Sequence, residues 1–348
     1  MIRRVAILVA TTILASCGSI GGTPSASLQP LELMAAGADP GALDWYIPAG
    51  SATMVLLDHL DPGRLDATRR ALLQRDLWMS FDTGYAREDR AALRARLAVL
   101  LRRTALPAEE IGRLPDTYAE SVKLYPTSFD PAKPEQPFLP ADLFDPNGPW
   151  IALHSDGVVA FQHDTFFANR SAFIVFVRHP EGRDAGLRFV EGLAKRKSPE
   201  IPVGMAFANV RRGLLISDGG TPVPSPFTES VQLRHYWGRN GNEQAVFKFE
   251  LGRRDLRLRP LRPNEAKPGY AVSFEHVSAR QSLSIPVMST CLDCHGAGGA
   301  GGVQVLQHNM TVDYHLRPGT PEQEMAKVVR RKTEHDSWRA LEALWRAD

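Results

Sequence analysis

Seven prolines crowd the stretch from Pro126 to Pro149, which closes on Asp145-Pro146-Asn147-Gly148-Pro149. Proline lacks a backbone N–H and clashes with a preceding helical turn, so neither helix nor central strand runs through such a stretch. It therefore separates two parts of the chain with different patterns. Before it, Leu93, Leu97, Leu100 and Leu101 stand at i, i+4, i+7 and i+8 with arginines between them. That is one apolar stripe on a helix. Leu65, Leu72, Leu73 and Trp78 repeat the pattern more roughly.

After the prolines the period changes. Ile151–Leu153, Val158–Phe161 and Phe173–Val177 are short apolar runs rich in β-branched and aromatic residues, which predict strands. Leu214–Ile216 leads into Asp218-Gly219, a hairpin signal, while Val231–His235 and Val246–Leu251 alternate as half-buried strands do. One helix is expected over 183–195. A closing helix starts where Thr320 can cap, Pro321 suits the first turn and Gln323 follows three residues after the cap. Met325, Val328, Val329, Leu341 and Leu344 supply its apolar face, and Arg330-Arg331-Lys332 is assigned to solvent. The expected fold is α+β, with a helical N-terminal region, a β-rich central region and a short helical C-terminal segment.

In residue numbers this divides the chain into 1–16, 17–30, 31–125, 126–149, 150–285 and 286–348, with 126–149 as the proline-rich connection. Its 348 residues would suit about two domains of ~150. A composition 43% apolar and 23% charged is that of a globular protein. With a net charge of +2 there is no strong positive field, so nucleic acid is not an expected partner.

The N-terminus begins Met1-Ile2-Arg3-Arg4, continues apolar from Val5 to Leu14, and reaches Leu14-Ala15-Ser16-Cys17. A basic start, an apolar run too short to span a bilayer and small residues before a cleavage point mark a secretory signal. The tetrad resembles the lipobox of bacterial lipoproteins. That resemblance implies removal of residues 1–16, acylation of Cys17, and membrane attachment through lipid. Gly18 at the next position resembles the outer-membrane sorting pattern, which places the protein on the periplasmic side. The Gly/Ser/Pro-rich residues 17–30 would form the tether, with a reach of roughly 20 Å.

Cys291-Leu292-Asp293-Cys294-His295 is the most specific pattern in the chain. The pattern resembles the attachment motif of c-type cytochromes. In that family two thiols with two residues between them reach both vinyl groups along one porphyrin edge, and the next residue projects an imidazole to the iron. The resemblance implies one covalent haem c on Cys291 and Cys294, with His295 as proximal iron ligand. A structural zinc site would need a second pair of ligands of this kind, and a disulfide between Cys291 and Cys294, the other alternative, would not explain His295. All three cysteines are then used, one for lipid and two for haem. Only 53 residues follow His295. The β-rich region before the motif is therefore expected to supply part of the haem pocket.

Met310 or His308, beyond the Gly296–Gly302 loop, are the first candidates for the distal iron ligand. His276, Met288 and His315 are further ones, and an open position is the alternative. Met310 would raise the reduction potential and His308 would lower it. His154 with Asp156, and His163 with Asp164, lie near expected strand ends; they match no template and are assigned to hydrogen bonding there, with a second metal or acid/base site as the functional alternative. Arg253, Arg254, Arg257, Arg259 and Arg262 are assigned to a solvated strand edge, with haem propionates or an anionic partner as the functional alternative. The expected function is one-electron transfer with a redox partner protein. Alternatives are a haem enzyme or sensor with an open distal site, or a binding protein whose haem relays electrons.

Overall fold

The computed structural model describes residues 61–83, 90–156, 169–194, 201–237, 244–252, 255–261 and 316–347. Helix α1 spans Ala67–Thr83, and Asp66 Oδ1 caps it by accepting from the Arg69 amide at 2.9 Å. Helix α2, Arg90–Thr104, packs along α1 and buries the expected Leu97, Leu100 and Leu101. Two short helices follow, α3 (Ala108–Gly112) and α4 (Thr117–Val122). The Asp116 carboxylate caps α4 by accepting from the amides of Tyr118 and Ala119.

No helix or strand runs between Lys123 and Pro149, as the prolines dictate. The stretch is nevertheless pinned. Phe138, Leu139 and Leu143 are buried, Tyr118 Oη donates to the Pro140 carbonyl at 2.6 Å, and Trp150 Nε1 donates to Asp142 Oδ1 at 3.1 Å.

The centre of the molecule is one antiparallel sheet. Its strands are β1 (Trp150–His154), β2 (Ser171–Arg178), β3 (Ala206–Ile216), β4 (Pro222–Tyr236), β5 (Gln244–Leu251), β6 (Leu258–Pro260) and β7 (Arg317–Gly319). Strands β1 to β6 form a meander in chain order. Strand β7 is added beyond β1, so the order across the sheet is β6-β5-β4-β3-β2-β1-β7. Pro318 is tolerated because β7 is an edge strand. A Cβ at Gly319 would run into the Cβ of His154, so close approach of β7 to β1 requires glycine there. The β3–β4 ladder is bulged beyond Arg211.

Side chains alternate across the sheet. Ala152, Phe176, Val210, Leu233 and Phe249 lie on the first face, in one core with Leu73, Leu77, Trp78, Phe81, Leu97 and Leu101 from α1 and α2. Helices α6 (Pro321–Glu334) and α7 (Asp336–Arg346) complete this cover, with Trp338 against Trp78 at 5.8 Å between ring centroids. On the second face, Ile151, Leu153, Phe173, Val175, Val177 and Phe207 pack under helix α5 (Arg183–Ala194), through Phe189, Val190 and Leu193.

The fold is thus α+β, with N-terminal helices, a central antiparallel sheet and C-terminal helices. Three expectations change in detail. The closing helix is two helices, broken at His335, whose Nδ1 accepts from the Ser337 amide. Lys332, assigned to solvent with Arg330 and Arg331, is fully buried. It lies seven residues after Met325 and four after Val328, which puts it on their face of the helix. The strands Val231–His235 and Val246–Leu251 are buried on both faces, because their polar side chains are covered as well. The expected strand Val158–Phe161 lies outside the described residues.

Candidate functional site

The predicted attachment residues Cys291, Cys294 and His295, the distal candidates His308 and Met310, and the lipidation candidate Cys17 all lie outside the described residues. So do His276, Met288, His315, His163, Asp164, Arg253, Arg254 and Arg262. Arg257 and Arg259 are exposed, as a solvated edge requires. The structure fixes the two points between which residues 262–315 run. The chain leaves the sheet after β6 at one edge and returns into β7 at the opposite edge. At ordinary strand spacing those edges are about 29 Å apart. The returning residue, Leu316, packs in the second-face cluster with Phe189 and Leu193.

Beyond the α5-covered part, this second face is polar. Arg211, Ser230 and Glu250 form one cross-strand row, with Asn209, Gln232 and Lys248 in the next. Arg211, Arg234, Lys248 and Glu250 are each less than a tenth exposed. Charges at such depth are stable only with partners. Glu250 answers two of them, Lys248 Nζ at 3.1 Å and Arg211 Nη2 at 3.3 Å. Arg211 Nε also lies 3.2 Å from Glu229 Oε2.

Glu229 is held from several sides at the bulged end of the β3–β4 ladder. It pairs with Arg75 from α1 and accepts from Ser171 Oγ at 2.7 Å. Burial alone would raise its carboxyl, but Arg75 and Arg211, with the Ser171 hydrogen bond, outweigh this and hold it below the usual carboxylate range.

Two further buried clusters lie on the first face. His154 Nδ1 meets Glu324 Oε1, whose other oxygen is 2.6 Å from Lys327 Nζ; that lysine also donates to the Ser155 carbonyl at 3.0 Å. A carboxylate behind one ring nitrogen fixes the tautomer and orientation of an imidazole. Asp156 turns instead to solvent, where it takes both Nη atoms of Arg317 at 2.7 and 3.2 Å. His154 and Asp156 therefore serve different partners and do not form one site. Hydrogen bonding at the strand end, as expected, describes both.

The second cluster centres on Asp82 Oδ2, 2.8 Å from Lys332 Nζ and 3.0 Å from Arg170 Nε. Lys332 also lies over the Trp78 ring at 5.0 Å. Burial, with Arg170 and Arg75 nearby, lowers its pKa to about 8, against the opposing pull of Asp82.

Sequence patterning missed the second-face cluster because alternating polar residues ordinarily mean solvent. The available signal was charge density, since Arg234, Lys248 and Glu250 fall on paired strands with Arg211 beside them. Among the described residues no group of three or more His, Cys, Asp or Glu is placed to hold a metal ion. Among them, too, no helix is long and apolar enough to cross a membrane. No family model, curated protein or solved structure matches the chain, so the site has to be argued from its own residues.

Proposed function

We propose that this chain is a lipid-anchored periplasmic protein that carries one covalent haem c and transfers single electrons to or from a redox partner protein. The observation that carries this is Cys291-Leu292-Asp293-Cys294-His295, in a chain whose N-terminus has the form of an export signal ending at Cys17. The two features are independent and agree, because covalent haem attachment of this kind resembles chemistry done outside the bacterial cytoplasm. Cys291 and Cys294 would hold the porphyrin through thioethers, and His295 would ligate the iron. Met310 or His308 would take the distal position. Cys17 would anchor the protein, on the Gly18 pattern in the outer membrane.

Bound there, the haem would supply a one-electron ferric–ferrous couple. The chain's own residues would set its potential through the axial ligands and the charge around it. On the second sheet face Arg211 and Lys248 already answer Glu250, so the described residues assign no partner to the carboxylates of a haem. The helices and sheet would act as a scaffold to hold it in place.

The test is an absorption spectrum of the exported, purified protein in both redox states, with a pyridine haemochrome assay on the denatured chain. A c-type signal that survives denaturation is the expected result. Its absence after expression with haem-maturation machinery would leave the motif without its cofactor and remove the proposal. A high-spin native spectrum would instead move the function to an enzyme or sensor with an open distal site.

A further inference from the structure

We infer that the joint between α6 and α7 is a proton-operated catch: the neutral His335 ring fastens the first turn of α7, and the imidazolium releases it. The inference is separate from the haem assignment and uses described residues alone.

His335 has an extended backbone, with φ −77° and ψ 139°, which ends one helix and begins the next. It caps both. Its amide closes α6 by donating to the Lys332 carbonyl, and its Nδ1 opens α7 by accepting from the Ser337 amide at 3.2 Å. The fields of the two helix ends oppose each other at this residue, so its local hydrogen bonds decide its protonation.

The directions of those bonds follow one from another. An ammonium can only donate. Lys332 Nζ donates to Asp82 Oδ2 at 2.8 Å and to Ser337 Oγ at 3.2 Å. With its oxygen accepting from Lys332, the Ser337 hydroxyl has its hydrogen to give, and His335 Nδ1 lies 2.8 Å away. Amide and hydroxyl of Ser337 thus both aim a donor at Nδ1. That nitrogen has to be bare, and the proton of the neutral ring sits on Nε2.

In acid the second proton can go only to Nδ1. An imidazolium has two N–H groups and no acceptor, so the cap on the Ser337 amide is lost. The new charge also lies across a single hydroxyl from Lys332. The charged groups around the pair are Asp82 and Arg75 on α1, Arg170 just before β2, and Asp336 on α7. Burial first, then Lys332, holds His335 below the usual histidine range, with Asp82 and Asp336 opposing.

The catch governs one end of α7. The other end is tied separately, by Arg102 Nη1 of α2 donating to the Trp345 carbonyl at 3.2 Å and by the Trp345 ring against Gly220. The near end carries Trp338, packed on Trp78, and Leu341, both buried. Loss of the cap therefore frees the first turn of α7 about a fixed far end and loosens the seat of Trp338.

The experiment is hydrogen exchange of the full chain, read by mass spectrometry over residues 336–341 from pH 7 to about 4.5, with each rate divided by the intrinsic rate at that pH. A histidine in the released turn binds its proton at higher pH than one in the capped turn. Protection should thus be full above the ordinary histidine range and fall as the pH drops through and below it. Loss of an N-cap corresponds to about a fivefold loss of protection. His335→Asn supplies a cap that does not titrate, so its protection should stay level over the same range. Lys332→Met removes the facing charge, so the fall should begin at higher pH.

A fall of equal size in His335→Asn would overturn the inference, because other groups would then be responsible. Level protection in the natural chain would do the same, as would an onset in Lys332→Met that does not move upward. Should Lys332→Met not fold, the natural chain and His335→Asn decide between them.

Discussion

On the first face of the sheet, Phe176, Val210, Leu233 and Phe249 lie in one apolar core with Leu77, Phe81 and Leu97 from the helices. At neighbouring positions of the same strands, Arg211, Arg234, Lys248 and Glu250 are buried as well, on the other side. The two faces reach similar burial by different physics. Apolar contact is non-directional and roughly proportional to area, so each side chain contributes nearly on its own. Buried charge is directional and shared, so removing one member strands the others. The first face should therefore lose stability side chain by side chain, and the second as a network.

The largest expected effect falls on the first face. Trp78→Ala should lower unfolding stability by about 3–5 kcal/mol, because it empties a site ringed by Phe81, Trp338 and Leu341. Urea denaturation reads it. On the second face Glu250→Gln should cost about 3 kcal/mol, since it leaves Lys248 and Arg211 short of their shared acceptor. The contrast is sharpened by Glu250→Met combined with Lys248→Met, which should recover most of that loss. A double variant no better than the single would mean that the second face is additive like the first.

Lys332 brings charge physics into the apolar face. In the folded protein it sheds its proton near pH 8, whereas an unfolded lysine does so near 10.5. Between those values the unfolded chain holds the extra proton, so stability should rise with pH by roughly 1 kcal/mol for each pH unit above 8 and be flat well below it. Measured between pH 6 and 9, below the range in which tyrosines ionise in the unfolded chain, this rise should vanish in Lys332→Met. The smallest effect is expected from Thr320→Ala, which removes the capping box of α6. The cost should be about 1 kcal/mol, with little dependence on salt. A strong salt dependence would mean that this helix end belongs to the charged network.

Elements that rest on local signals were legible in the sequence. The leucine stripe of α2, the cap of α6 at Thr320 and Gln323, and the helix Arg183–Ala194 follow from residues within one or two turns of each other. Strand β7 was not legible. Arg317-Pro318-Gly319 has the composition of a turn, and only pairing with residues 152–154 makes it a strand. Lys332 was misjudged because three basic residues in a row were taken together, although helical geometry sends them in different directions. The buried charges of β3, β4 and β5 were hidden in an alternation that usually means water. Their burial and pairing depend on strands brought together by the fold. The proposed haem attachment rests on five residues, because thioether chemistry would fix their spacing locally.

The position of β7 also sets an order of events. Its partner β1 is complete at residue 154, but β7 and the helices that finish the first-face core exist only once residues 317–346 have been made. Pairing across so long a separation forms late, after the loop it closes has been brought together. A chain emerging from its N-terminus thus presents Cys291 and Cys294 before the last edge of its sheet can close. An enzyme acting on those thiols at that stage would meet a sheet that is still open at one edge.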